Sequence, residues 1–211
     1  MNKRISAGLA AAVATVSIVA TSFAGPAGAT SSQDQPEGLP GSITDVVAAS
    51  GSGFDSFGGD YDVLLAAVSA AGLAETLDDP ELNVTVWAPK DRAFVKTAQD
   101  LGFTGAITDE EGAWNFLVTA LTSIGGGDPI PTLTTILQYH VTPGYFGVRR
   151  VLPAPRFATL AGINIRHTPG TTVLQDKDPD FRDPRLVTPL SVRASNGIIH
   201  TINRVLLPVN L

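Results

Sequence analysis

The sequence predicts an α+β domain, on three observations. Apolar residues recur at helical spacing through the first two thirds, as in Val63, Leu64, Ala67, Val68 and Ala71. From Gly147 onward the pattern shortens into separate β-rich runs. Near the end, Asn196-Gly197 sits between two such runs, the strongest short hairpin signal because a type I′ turn needs two residues that tolerate positive φ. Helices first and strands later argue against an alternating parallel sheet.

The elements follow in order. Lys3 and Arg4, an apolar run from Ile5 to Ala20 and the small-residue site Ala27-Gly28-Ala29 read as a signal peptide over residues 1–29. The apolar run is short and interrupted by Ser6, Gly8, Thr15 and Ser17, which makes it a poor bilayer span. Residues 30–41 are polar, with two prolines, and read as a flexible leader. The folded domain is expected over 42–211. It begins with Ile43-Thr44-Asp45-Val46-Val47, followed by a Gly- and Ser-rich loop from Ser50 to Asp60. Asp60 is placed to cap the next helix, and Gly72 to end it at C′.

Leu82 to Trp87 reads as a strand, and Pro89 as the first turn of a helix anchored by Phe94 and Leu101. Thr108 with Glu111 forms a capping-box pattern before a helix carrying Trp114, Leu117, Val118 and Leu121, which Gly125-Gly126-Gly127 ends. Thr132 to Tyr139 is a short helix that delivers Tyr139 and His140. The β runs are Gly147–Leu152, Phe157–Leu160, Ile163–His167, Thr171–Leu174, Leu190–Ala194 and a final apolar strand from Ile198. An Asp- and Pro-rich insert spans 175–187. No internal repeat is visible.

Charge narrows the function. The chain carries 14 basic and 20 acidic residues, a net charge of −6. Loss of residues 1–29 removes Lys3 and Arg4 only, leaving 12 against 20, or −8. Such a protein is a poor general ligand for nucleic acid or anionic lipid. It has no cysteine, so no disulfide can brace it. No Gly-rich phosphate loop or nucleotide fingerprint is present, and no cofactor is expected.

Three segments in fixed order carry a resemblance. They are Thr85-Val86-Trp87-Ala88-Pro89-Lys90-Asp91-Arg92-Ala93-Phe94, then Leu137-Gln138-Tyr139-His140-Val141-Thr142-Pro143-Gly144, then Asn196-Gly197-Ile198-Ile199-His200-Thr201-Ile202-Asn203-Arg204-Val205-Leu206-Leu207-Pro208. Together they resemble the signature of the fasciclin domain, an extracellular adhesion module. The resemblance implies a wedge-shaped β-sandwich with a layer of short helices. It also implies adhesive contacts around Tyr139 and His140, receptor contacts in animal members among them. Lys90 stands where the family often has threonine, and Asn203 where it has aspartate. The tripeptide Arg-Gly-Asp is absent, so integrin binding is not implied.

The expectation is therefore a secreted, extracellular, non-enzymatic module of bacterial type that binds a protein or glycan of a cell surface or matrix. Its candidate binding residues are Tyr139, His140, Tyr145, Phe146, Arg149 and Arg150. On physical grounds Tyr139 and His140 read first as a buried lock at a helix-to-strand junction, since unpaired buried polar groups cost roughly 1–3 kcal/mol. His200 shares a strand face with Ile198 and Ile202 and reads as a core histidine; Ser195 beside it lacks a nucleophile elbow. Two alternatives remain open. One is a ligand- or glycan-processing protein in which two of His140, His167, His200 and the insert carboxylates meet in a pocket. The other is a calcium-stabilised module. For it, Asp176, Asp178, Asp180 and Asp183 are candidate ligands at alternating positions, although Phe181 and Val187 stand where an EF-hand needs glycine and glutamate.

Overall fold

The computed structural model describes residues 41–51 and 53–209. The signal peptide and all of the leader except Gly41 lie outside the described residues. Fourteen elements are present among those described. In the first half these are α1 (Ile43–Ala48), α2 (Asp62–Ala70), α3 (Ala74–Asp78), β1 (Val84–Pro89), α4 (Asp91–Asp100), α5 (Glu110–Ile124) and α6 (Ile130–Tyr139). They are followed by β2 (Val141–Pro143), α7 (Val148–Val151), β3 (Arg156–Ala158), β4 (Asn164–His167), β5 (Leu174–Gln175), β6 (Val192–Ala194) and β7 (Gly197–Ile202). The fold class is α+β, as the sequence predicts.

Two sheets form. One has the order β2-β1-β7-β6 and the other β3-β4-β5. At the centre of the first, β1 and β7 pair in parallel, from Val84 opposite Gly197 to Pro89 opposite Ile202. Every residue of both strands is buried. That burial on two faces explains why β7 reads as a continuous apolar run and not as an alternating one. Strand parity then sorts the side chains. Val84, Val86, Ala88 and Ile199 join the core shared with helices α1, α2, α4, α5 and α6. Trp87 and Ile202 point the other way, into a second core with Phe157, Ile165 and Leu174 of the smaller sheet.

Several local expectations are corrected. Residues 147–152 form a helical turn, α7, instead of a strand; Val148 and Val151 are three apart, a helical spacing. Pro89 ends β1 and α4 starts only at Asp91, with Lys90 as N-cap. Position 89 is the strand's last, where proline is tolerated. The cap of α5 is Asp109, whose Oδ1 accepts from the Gly112 N–H at 2.9 Å, and not Thr108. A complete capping box lies unforeseen at Ser42 and Asp45 on α1. Asp60 does not cap α2. That helix is capped from a distance by Asp91, whose carboxylate accepts from Val63 N at 2.8 Å and Asp62 N at 3.2 Å. Gly72 does end α2, with φ +66° and the Leu73 N–H bonded to Val68 O at 3.0 Å.

The hairpin is real but its turn is shifted. Ala194 pairs with Gly197, so Ser195 and Asn196 form the connection and Gly197 lies within β7 at ordinary φ. Glycine is needed at 197 for another reason: a Cβ there would sit 2.4 Å from Val84 O of β1. Asn196 is buried and ties three segments. Its Oδ1 accepts from Ile43 N at 2.9 Å, and its Nδ2 donates to Leu77 O at 2.8 Å and Asp79 O at 2.9 Å.

Candidate functional site

The predicted binding residues divide into an inner pair and an outer group. Tyr139 is fully buried against the second core, and His140 is 3 % exposed. The Leu206 N–H donates to His140 Nε2 at 2.9 Å, which leaves Nδ1 to carry the proton and donate to Ile136 O at 2.8 Å. Burial pushes its pKa down to about 4, so the ring is neutral. His140 thus fastens the end of α6 to the segment after β7, and presents no surface to a partner. The other two histidines are also committed to backbone. His200 Nδ1 and Nε2 each lie 2.6 Å from a carbonyl, of Leu190 and Phe146. His167 meets Ala154 O and Thr171 O at 2.6 and 3.0 Å.

The outer group forms the corner between β2 and α7. Thr85 of β1 fixes it, donating from Oγ1 to Gly144 O at 2.7 Å and accepting from Phe146 N at 2.9 Å. Tyr145 and Phe146 are half-buried, and Arg149 and Arg150 are exposed. The Arg150 guanidinium lies 4.7 Å over the Phe146 ring and donates to Tyr145 O at 2.7 Å. Arg193 of β6 lies 5.8 Å over the Tyr145 ring. Sequence reasoning missed Arg193 because only the β6–β7 hairpin carries it to this corner. The result is a basic, aromatic patch on an acidic protein, with both arginines preorganised over rings.

Two of the insert carboxylates, Asp176 and Asp178, are engaged by backbone amides. Asp176 accepts from Leu207 N at 2.9 Å and Asp178 N at 3.1 Å; Asp178, itself buried, accepts from Asp180 N at 2.9 Å and Phe181 N at 3.2 Å. Burial raises the pKa of Asp176 to about 6. Among the described residues these four aspartates do not converge as a three-carboxylate group; the carboxylates that do converge lie elsewhere, at Asp55, Asp60, Asp62, Asp91 and Glu110.

Burial raises Asp91 to about 8, with Asp60 beside it adding in the same direction. A carboxyl raised by folding holds its proton more tightly in the native state. Its contribution is complete below the unfolded value near 3.8 and is lost as pH climbs through the folded value. Asp176 acts in the same sense up to about 6. His140 opposes them: depressed to about 4, its contribution is lost as pH falls from 6.5 through 4, and is constant above. Above pH 6.5, therefore, Asp176 has already given up its contribution and Asp91 is unopposed by His140. In chelator-containing buffer the protein is expected to lose stability between pH 6.5 and 8, with a slope approaching about 1.4 kcal/mol per pH unit for each group titrating. Urea unfolding at both pH values measures this; a gain across the interval would contradict it.

Comparison with known proteins fits the geometry. Residues 59–208 match the pattern that defines the fasciclin domain, and the chain belongs to that family, whose members serve in general as adhesion or interaction modules. The uncharacterized protein sll1735 of Synechocystis sp. is 31% identical over 149 residues, 70% of this chain and 89% of that protein. The FAS1 domain pair of the insect cell adhesion molecule fasciclin I superposes with a TM-score of 0.52 at 14% identity, a likeness of fold. It covers 80% of this chain, which spans about half of that pair, 51%. No helix among the described residues is long and apolar enough to cross a membrane.

Proposed function

We propose that the protein is an exported, non-enzymatic adhesion module: residues 1–29 act as its signal peptide and 42–211 as a single domain that grips a protein or glycan of a cell surface or matrix. The observation that carries the reading is the corner at 144–150. There, exposed Arg149 and Arg150 flank half-buried Tyr145 and Phe146 on a rigid β1 support. Aromatic and arginine anchors are the side chains that dominate binding energy at interfaces. A basic spot on a chain of net charge −6 favours an anionic group on the partner, such as a carboxylated or sulfated glycan or an acidic protein loop. The inner pair, Tyr139 and His140, supports this surface from within by fixing the end of α6.

Because Arg149 and Arg150 are exposed, replacing both by alanine tests binding with little effect on folding. The R149A/R150A variant is expected to be captured by immobilised cell-surface extract with an apparent affinity about tenfold lower or more. A second variant with the exposed arginines R182A/R185A, which alters charge equally in a different loop, controls for net charge. Equal capture of wild type and R149A/R150A would reject this corner as the contact.

A further inference from the structure

Five carboxylates from three stretches of sequence, 55–62, 91 and 110, meet beside the N-terminal ends of α2, α4 and α5. Oxygens of Asp60, Asp91 and Glu110 all lie within 4.8 Å of one another, and so do those of Asp55, Asp62 and Glu110. Glu110 belongs to both sets. Asp60, Asp62, Asp91 and Glu110 are each at least 95 % buried, at 5, 4, 0 and 1 % exposure, while Asp55 is exposed at the rim.

Hydrogen bonds answer only part of this charge. Asp91 caps α2 through both oxygens, and Glu110 Oε2 accepts from Asp55 N at 3.0 Å. Asp60 Oδ1, Glu110 Oε1 and both oxygens of Asp62 have no hydrogen-bond partner among the described residues. The Gly53 amide tempers the Asp62 charge without reaching hydrogen-bonding geometry. Among the described residues no arginine or lysine forms an ion pair with these carboxylates; the ion pair found there joins Arg204 to Asp100. Gly51 closes the space from the loop side, where a Cβ would lie 2.6 Å from Asp60 Oδ2 and 2.6 Å from Asp62 Oδ1. Buried carboxylates in contact need either shared protons or a cation between them.

We propose that Asp62 and Glu110, with Asp55 at the rim and Asp60 and Asp91 behind them, hold one calcium ion that clamps the loop at 53–61 to the starts of α2 and α5. Within the Asp55, Asp62 and Glu110 set, oxygen–oxygen spacings of up to 4.8 Å suit ligands about 2.4 Å from one central ion, the calcium distance. The donor set is all oxygen, the preference of a hard cation, and its excess negative charge suits calcium more than the water-retaining magnesium ion. The site is independent of the arginine corner, and its role is structural: it joins three segments that otherwise repel one another.

The test is thermal unfolding of the full chain after EDTA treatment, with and without CaCl₂ at about 10 mM, above the affinity range of extracellular calcium modules. Calcium is expected to raise the midpoint, and EDTA to reverse it. At one hundred times the dissociation constant, the folded-to-unfolded ratio rises about one-hundredfold. D62N and E110Q remove a charge while keeping shape. Both are expected to fold without calcium as well as wild type or better, because repulsion is relieved, and to bind calcium at least tenfold more weakly in calorimetric titration. D180N/D183N, in the insert, is expected to behave as wild type. Four results would overturn the proposal: no calcium shift in the wild type, a shift with magnesium but none with calcium, a shift and affinity unchanged in D62N and E110Q, or a shift lost in D180N/D183N instead. Titration of the wild type alone, expected to give one ion per chain, decides the matter even where a variant fails to fold.

Discussion

Alanine in place of Trp87 is expected to destabilise the protein by about 4 kcal/mol, within the range measured for large aromatic truncations in cores. The indole is fully buried and belongs to β1, the strand between β2 and β7. Its ring lies 4.8 Å from Phe157 and 5.2 Å from His200, stacked on the latter, and its Nε1 donates to Thr142 Oγ1 at 3.0 Å. Truncation therefore opens a void between the two sheets, strips a neighbour from the His200 ring, and leaves the Thr142 hydroxyl without its donor. The W87F variant refills most of the volume and is expected to recover more than half of the loss, the remainder reflecting the absent indole N–H. Equilibrium unfolding in urea measures both. A loss below about 2 kcal/mol for W87A, with an unchanged m-value, would show that the sheets close over the gap and that the second core is not tightly packed.

Asn196→Ala is expected to cost about 3 kcal/mol. Three hydrogen bonds, one buried and two part-buried, disappear together, each worth roughly 1 kcal/mol; Ile43 N–H is left unpaired in the interior, while Asp79 O keeps the Leu82 N–H. The same residue occupies the β6–β7 turn, so two explanations compete. Asn196→Gly separates them. Glycine satisfies the turn as well as asparagine but makes no side-chain bonds. Equal losses for the two variants show that the anchoring of α1 and α3 matters; a near-neutral Asn196→Gly would show that only the turn does. Urea midpoints at a single pH are sufficient to decide.

The sequence was legible where burial is repetitive. The helices at 62–70 and 110–124 announce themselves through apolar spacing, and β7 through a run of buried residues flanked by a hairpin signal. Legibility failed where a residue's role is set by a distant partner. Asp91, the first residue of α4, serves α2, 28 and 29 positions back. Asn196 reads as a turn former, yet its side chain answers to residues 117 to 153 positions away. The four-residue α7 is too short for periodicity to distinguish it from a strand. The convergence of Asp55, Asp60, Asp62, Asp91 and Glu110 has no local signature: Asp60 reads as an ordinary cap, Glu110 draws no reading beside the Thr108 and Glu111 pattern, and only the packing of α2, α4 and α5 brings them together. The insert reads as a candidate site because its aspartates lie within eight residues of one another, whereas the deeper cluster is dispersed over more than fifty positions.

The parallel union of β1 with β7 has a temporal side. Residues 84–89 and 197–202 are joined edge to edge across more than a hundred intervening positions, so the innermost ladder is also among the most non-local. Ring closure over such a distance is entropically slow, and helices can form long before it. Until residue 197 is available, β1 has only three-residue β2 along one flank and an open row of amides and carbonyls along the other. Assembly of the central sheet thus waits on the stretch that carries β7.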